Sequence, residues 1–434
     1  MTDINGTGSE PPKKKKFISE KIVKQPMSRA QMAKRCAVLL FMAAVFGVIA
    51  AITFTISRPL AEKYIGGSST EESETISIPK DEETQPAEPM EETEEETTPI
   101  SELVREAMEN YHFDMNTVNN IYNNLRLAGQ KANNSIVTVH SVTRDTDWFD
   151  NPIENAGQYA GAVIAVTDSE ILILAPDTAV ESADAIFVTF YNDIDVEGTK
   201  KQADKIRGLA VISVAKSAVP QEKAETIVPF TLGNSYTVRA GDLILSVGAP
   251  AGMPYSFDYG AVNYIARNSQ AVDGAAQIMF LGLKGNADAG TFILNTAGEI
   301  IGWVTDKYDN DENADAVIAE GISSYKGILE KMSNGIATAY LGIKCQELTQ
   351  EMISSGMPQG LYVAEAVSGG PAYNAGIQNG DIITSVNGEA VSTIEDFQTR
   401  IEEMDAGATV EIVVKRNGRE TYTELVYQVV TGER

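Results

Sequence analysis

From residue 134 onward, short aliphatic runs alternate with polar breaks: IVTVHSV at 136–142, GAVIAV at 161–166, ILIL at 171–174, AIFVTF at 185–190, LAVISV at 209–214, LILSVG at 243–248 and AVNYIA at 261–266. Runs of this length, rich in Val and Ile and bounded by turn formers, predict an all-β barrel or sandwich. Residues 283–305, LKGNADAGTFILNTAGEIIGWVT, extend the pattern as a strand, a tight turn and two more strands joined by a hairpin at 295–298. Upstream, residues 101–131 carry helical spacing, with Ser101 and Glu102 opening one segment and Val118, Ile121, Tyr122 and Leu125 sharing one face of a second. Residues 323–338 predict a helix and hinge ahead of a last module of about a hundred residues.

Two N-terminal stretches break the globular pattern. Residues 36–56, CAVLLFMAAVFGVIAAITFTI, hold no charge and are long enough to cross a hydrocarbon core of about 30 Å as a helix. Nine Lys/Arg and only three Asp/Glu precede this run, which places the N-terminus in the cytoplasm and everything after Ser57 outside. The run is also too long, and its basic leader too extended, for a cleaved signal peptide. Between Glu71 and Glu96 lie twelve acidic residues and one lysine, so 57–100 reads as a disordered, self-repelling stalk.

Composition narrows the function classes. The chain has 434 residues, 43% of them hydrophobic, enough for two or three domains with sizeable cores. Its net charge is −27 and the positive balance is confined to the N-terminal tail, which argues against nucleic acid as a partner. The two cysteines, Cys36 and Cys345, imply neither a disulfide framework nor a zinc site. No loop has the alternating carboxylates and turn glycine of a calcium site, so no metal and no cofactor is expected.

Three motifs carry a resemblance. Residues 232–252, LGNSYTVRAGDLILSVGAPAG, are similar to the LG-x-S, R-x-G-D and G-x-P-x-G run of the HtrA family. Residues 283–305 resemble its active-site segment, and GPAYNAGIQNGDIITSVNG at 370–388 its PDZ domain. The resemblance implies a mainly β fold, a trypsin-like double β-barrel followed by an α/β PDZ domain, behind the transmembrane helix and acidic stalk. The implied organisation is a cytoplasmic tail (1–35), span (36–56), linker (57–100), membrane-proximal helices (101–133), protease-fold domain (134–335) and PDZ domain (336–430).

The family's catalytic positions fall, without gaps, on residues that lack the chemistry. The base histidine aligns with Thr178 in ILAPDTAV, the orienting aspartate with Gly208 in GLAVISV, and the nucleophile with Ala289. A serine protease needs a nucleophile, a base and a carboxylate acting together, and none of the three is present. Ala287 and Thr291 replace glycines of the oxyanion turn. The two histidines, His112 and His140, lie outside the base motif; Asp177 and Asp288 flank the lost groups, so a carboxylate pair is the alternative route to hydrolysis.

In the last module, Tyr340, Leu341, Gly342 and Ile343 resemble the loop that binds a peptide's terminal carboxylate, with Phe397 and Ile401 as candidates for either the apolar pocket or the core. The expectation is a membrane-anchored, extracytoplasmic pseudoprotease that binds unfolded or C-terminally exposed polypeptides without cleaving them. Family resemblance implies a homotrimer; a hetero-oligomer with an active relative, which the chain would regulate, is a separate expectation. The rival expectations are an active endopeptidase, serine-type or aspartate-assisted, and a structural envelope scaffold.

Overall fold

A computed structural model describes residues 75–82, 115–146, 152–308, 316–418 and 421–434, all within the compact unit Ser73–Arg434. The predicted tail, membrane span and first membrane-proximal helix, with His112, lie outside the described residues. Among the described residues no helix is long and apolar enough to cross a membrane.

The period-two pattern closes two six-stranded antiparallel barrels. The first comprises β1 (Ile136–Thr146), β2 (Pro152–Val166), β3 (Glu170–Pro176), β4 (Ala185–Phe190), β5 (Asp195–Asp204) and β6 (Leu209–Ala215), in the order β1-β2-β3-β6-β5-β4. The second comprises β7 (Leu243–Gly248), β8 (Ser256–Ala271), β9 (Gly274–Leu281), β10 (Thr291–Leu294), β11 (Ile300–Val304) and β12 (Val317–Gly321), in the order β10-β11-β12-β9-β8-β7. Every aliphatic run identified from sequence falls on one of these strands. In 283–305, however, the strand ends before Leu283, because β9 stops at Leu281 and turn backbone occupies the rest up to Thr291. β5 escapes the pattern since its barrel-facing positions are Val196, Gly198 and Ala203, only one of them a sizeable apolar side chain, while Asp204 meets Tyr325 between the barrels.

Alternate residues of each strand point inward. Val137, Val139, Ile171, Ile173 and Ile212 fill the first barrel, and Ile244, Met279, Leu281 and Ile293 the second. The opposite faces meet between the barrels, where Leu172, Leu174, Val247, Phe292 and Trp303 form a common core with Tyr325 and Leu329. Helix α1 (Met115–Ala132) docks by its C-terminal half: Leu125 and Ala132 join that core and Gly129 lies under the Phe257 ring. Of the predicted apolar face, Ile121 and Tyr122 stay half-exposed, and Tyr122 meets Tyr259 ring to ring at 5.8 Å.

Helix α2 (Lys326–Ser333) leads into the PDZ domain. This domain has a five-stranded path, β14 (Ile343–Glu347), β15 (Leu361–Ala366), β16 (Ile382–Val386), β18 (Thr409–Asn417) and β19 (Tyr422–Val430), with β17 (Glu389–Ala390) pairing on β16. A small ladder joins β13 (Ala339–Tyr340) to β20 (Gly432–Glu433). Helix α3 (Ile394–Glu402) starts at a capping box in which Thr393 and Asp396 satisfy each other's backbone N–H groups.

Eight residues of the acidic stretch depart from the spacer expectation. Residues 75–82 run extended along α2: the Ile76 N–H donates to Asn334 Oδ1 at 2.9 Å, the Ile78 N–H to Glu330 Oε2 at 2.7 Å, and Lys326 pairs with Asp81 at 2.9 Å. Lys80 reaches Glu402 of α3 at 2.6 Å. Ile76 and Ile78 also pack on the inter-barrel core, so a two-residue apolar alternation inside an acidic run adds to these polar attachments.

Candidate active site and peptide groove

Thr178, Gly208 and Ala289 come together at one end of the inter-barrel cleft. Thr178 sits in the 3-10 turn Asp177–Ala179 after β3, Gly208 just before β6, and Ala289 in the turn leading into β10. Thr178 and Gly208 line a cleft of about 160 Å³ together with Asp177, Arg207, Ala287, Asp288 and Lys307. Backbone bonds fix its walls: the Asp177 N–H donates to Gly208 O at 3.1 Å, and the Ala160 N–H to Ala289 O at 2.8 Å.

The turn ahead of β10 is folded on itself. Asn286 Oδ1 accepts from the Ala289 N–H at 2.9 Å, so this backbone donor is already occupied. The Thr291 hydroxyl, buried, accepts from the Asn286 N–H at 3.0 Å and donates to Asn286 O at 2.9 Å, clamping both ends of the turn. The Thr178 hydroxyl donates to Asp288 O at 3.3 Å and is committed as a donor. Gly208 has φ +74, a conformation that strains any residue with a Cβ. Asn side chains cap backbone N–H groups locally, which is how Asn286 closes this turn.

Charge around the cleft is set by burial. Burial pushes the Asp177 carboxyl above its ordinary value, against the pull of Lys307. Next to it, Arg207 Nη1 donates to Glu320 of β12 and, at 2.9 Å, to the Tyr308 hydroxyl. Burial raises the Glu320 carboxyl, opposed by the Arg207 guanidinium. The pair spans the barrels, and the Trp303 indole N–H reaches Arg207 O at 3.4 Å, so the Gly208 loop is braced from the second barrel. His140 is a strand residue whose Nε2 lies 3.1 Å from Thr189 Oγ1, away from the cleft. Among the described residues no group of three His, Cys, Asp or Glu side chains is placed to hold a metal.

In the PDZ domain the loop Tyr340, Leu341, Gly342, Ile343 turns its backbone N–H groups onto a single carboxylate. That carboxylate belongs to Asp273, at the tip of the β8–β9 hairpin of the second barrel: Leu341 and Gly342 donate to Oδ2 at 2.8 and 3.2 Å, and Ile343 to Oδ1 at 2.9 Å. Gly342 makes the approach with φ +79. Phe397 and Ile401 face the PDZ core with Leu341 and Ile343 and are fully buried. Burial raises the Asp273 carboxyl, while Arg434 and the three N–H groups act in the opposite direction. In the sequence, Asp273-Gly274 reads only as a hairpin turn.

Residues 131–302 match a trypsin-like peptidase domain and residues 339–425 a PDZ domain. The serine protease Do-like HtrA of Bacillus subtilis (strain 168) is 25% identical over 285 residues, which are 61% of this chain and 62% of that protein. A probable periplasmic serine endoprotease, DegP-like, of Rhizobium meliloti (strain 1021) is 27% identical over 254 residues, 57% of this chain and 49% of that one. The chain thus spans from about half to just over three fifths of the length of these relatives. Among solved structures, an HtrA-type protease, AlgW with decapeptide, shares the fold at a TM-score of 0.50 and 19% identity, covering 71% of this chain and 98% of that one. The chain thus carries a trypsin-like peptidase domain followed by a PDZ domain and is similar to HtrA-type serine proteases.

Proposed function

We propose that this chain is an HtrA-family pseudoprotease that binds polypeptides, unfolded or with exposed C-termini, through its PDZ domain and does not cleave them. The observation that carries this is the content of the catalytic positions: Thr178, Gly208 and Ala289 offer no nucleophile, base or orienting carboxylate, and Asn286 occupies the N–H of residue 289. A rate enhancement that rests on nucleophile, base and preorganised donors has none of these to draw on here. The PDZ domain and the loop 340–343 support peptide recognition. The relatives are named as serine proteases, some of them periplasmic, which supports an extracytoplasmic setting and makes loss of cleavage the distinguishing claim. The basic tail and apolar run at 36–56 support a single-pass anchor with the folded domains outside, working alone, as a trimer, or beside an active relative.

The test is labelling with a fluorophosphonate probe, using the Bacillus subtilis relative as the positive control. The proposal expects no covalent adduct on this chain at probe concentrations that saturate the control. An adduct mapped to any hydroxyl lining the cleft contradicts it.

A further inference from the structure

The carboxylate loop of the PDZ domain already holds a ligand supplied by the same chain. Leu341, Gly342 and Ile343 give three successive backbone donors, a set that in an open groove would take a peptide's terminal carboxylate. Here they converge on Asp273, which is 4% exposed. The likeness extends to the backbone. The Asp273 N–H donates to Ile343 O at 2.7 Å, and Val272 forms an antiparallel bridge with Lys344, so the hairpin tip adds to the free edge of β14 as a bound peptide's last two residues would.

Neighbouring groups hold the tip in place. Arg434 Nη2 donates to Val272 O at 3.0 Å on one side. On the other, Gln398 of α3 accepts from the Ala275 N–H at 3.3 Å and packs so closely on Gly274 that a Cβ there would run into it. A peptide ends at its carboxylate; this chain must turn away after Asp273, and Gly274 makes room for that turn beneath α3. Gln270 approaches Gln346 at 3.4 Å and continues the contact along β14.

We propose that Asp273 is an internal pseudo-ligand that closes the PDZ groove, and that a polypeptide C-terminus is admitted only when the β8–β9 hairpin leaves. This rests on the peptide-recognition reading above and adds its regulation. A groove open for a fraction of the time weakens apparent affinity by that fraction, so removing the pseudo-ligand strengthens binding without any new contact.

The experiment uses the full chain in detergent with Asp273→Asn and Asp273→Gly. Asp273 has φ +58, and Asn and Gly are the residues that tolerate this backbone, so both variants keep the hairpin. Hydrogen exchange of the peptide segment covering 340–344 is read first. It is expected to be slow in the wild type and at least about 10-fold faster in both variants, with β18 and β19 unchanged. Fluorescence anisotropy then follows a peptide ending in a free Val carboxylate and its amide. The variants are expected to bind the free acid about 10-fold or more tighter than the wild type and to leave the amide unaffected.

Unchanged exchange at 340–344 overturns the clasp. So does free-acid affinity equal in wild type and variants. Faster exchange with no binding of either peptide by any protein sinks peptide recognition instead, while the clasp stands as a latch between the barrels and the PDZ domain.

Discussion

Cutting the strut between the barrels at Glu320 should destabilise the whole protease-fold domain. The side chains of Arg207 and Glu320 are 5% and 0% exposed, and the pair links the Gly208 loop of the first barrel to β12 of the second. Glu320→Ala strips the buried guanidinium of its carboxylate and leaves it the Tyr308 hydroxyl, with Nε already unpartnered among the described residues. Leaving one charge of a buried pair uncompensated costs about 3–5 kcal/mol. In a domain of this size that is roughly 10 °C in Tm. Replacing both partners, Arg207→Met with Glu320→Leu, removes the charges together and should fall within about 1 kcal/mol of the wild type, because desolvation of the pair offsets most of its attraction. Urea unfolding followed by tryptophan fluorescence is the assay. Trp303 lies 5.1 Å from Tyr325 and touches the Arg207 backbone, so it reports this region. A double variant as unstable as Glu320→Ala, or a Glu320→Ala cost below about 1 kcal/mol, refutes the strut.

Three further outcomes follow from the same structure. Asp177 has a folded-state pKa above its ordinary 3.8, so its contribution to stability is present below 3.8 and is lost as pH rises through the raised value; Asp177→Asn should flatten that part of the curve, and urea midpoints of both proteins between about pH 3.5 and 6 check it. Burial pushes the Cys345 thiol well up, so maleimide should not label this residue in native protein and should label it fully in urea, read by mass of the tryptic peptide. Protease added to intact cells should remove the domains after Ser57 and spare the basic tail, as antibodies to each end would show; a protected PDZ domain contradicts the orientation.

The barrels were legible because their strands are short aliphatic runs between polar breaks, as in ILIL of β3 and LAVISV of β6, which are buried on both faces. β5 and the strap at 75–82 were not, since one hides its single Val among lysines and the other its two isoleucines among acids. Motif spacing singled out Thr178 and Gly208, and the structure sets both in one cleft with Asp288. What spacing could not show were side chains acting over long separations or within a turn: Asn286 capping residue 289, Arg207 reaching Glu320, and Asp273 filling a loop 70 residues away. The backbone at Gly208 is a further case. An aspartate there looks like a simple reversal on paper, but φ +74 would strain it.

The most direct measurement is the fate of an unfolded polypeptide. Reduced, alkylated casein is incubated with the purified chain for many hours, and intact mass is followed beside a reaction with the active Bacillus subtilis relative. Ala289→Ser and the triple change Thr178→His, Gly208→Asp, Ala289→Ser are run in parallel. The account predicts full-length casein throughout for the wild type and for Ala289→Ser, whose hydroxyl lacks a base, and at most a trace of fragments for the triple variant. Fragments that accumulate with wild-type protein in proportion to its concentration, and disappear on Asp288→Asn, would contradict it and establish a carboxylate-dependent protease.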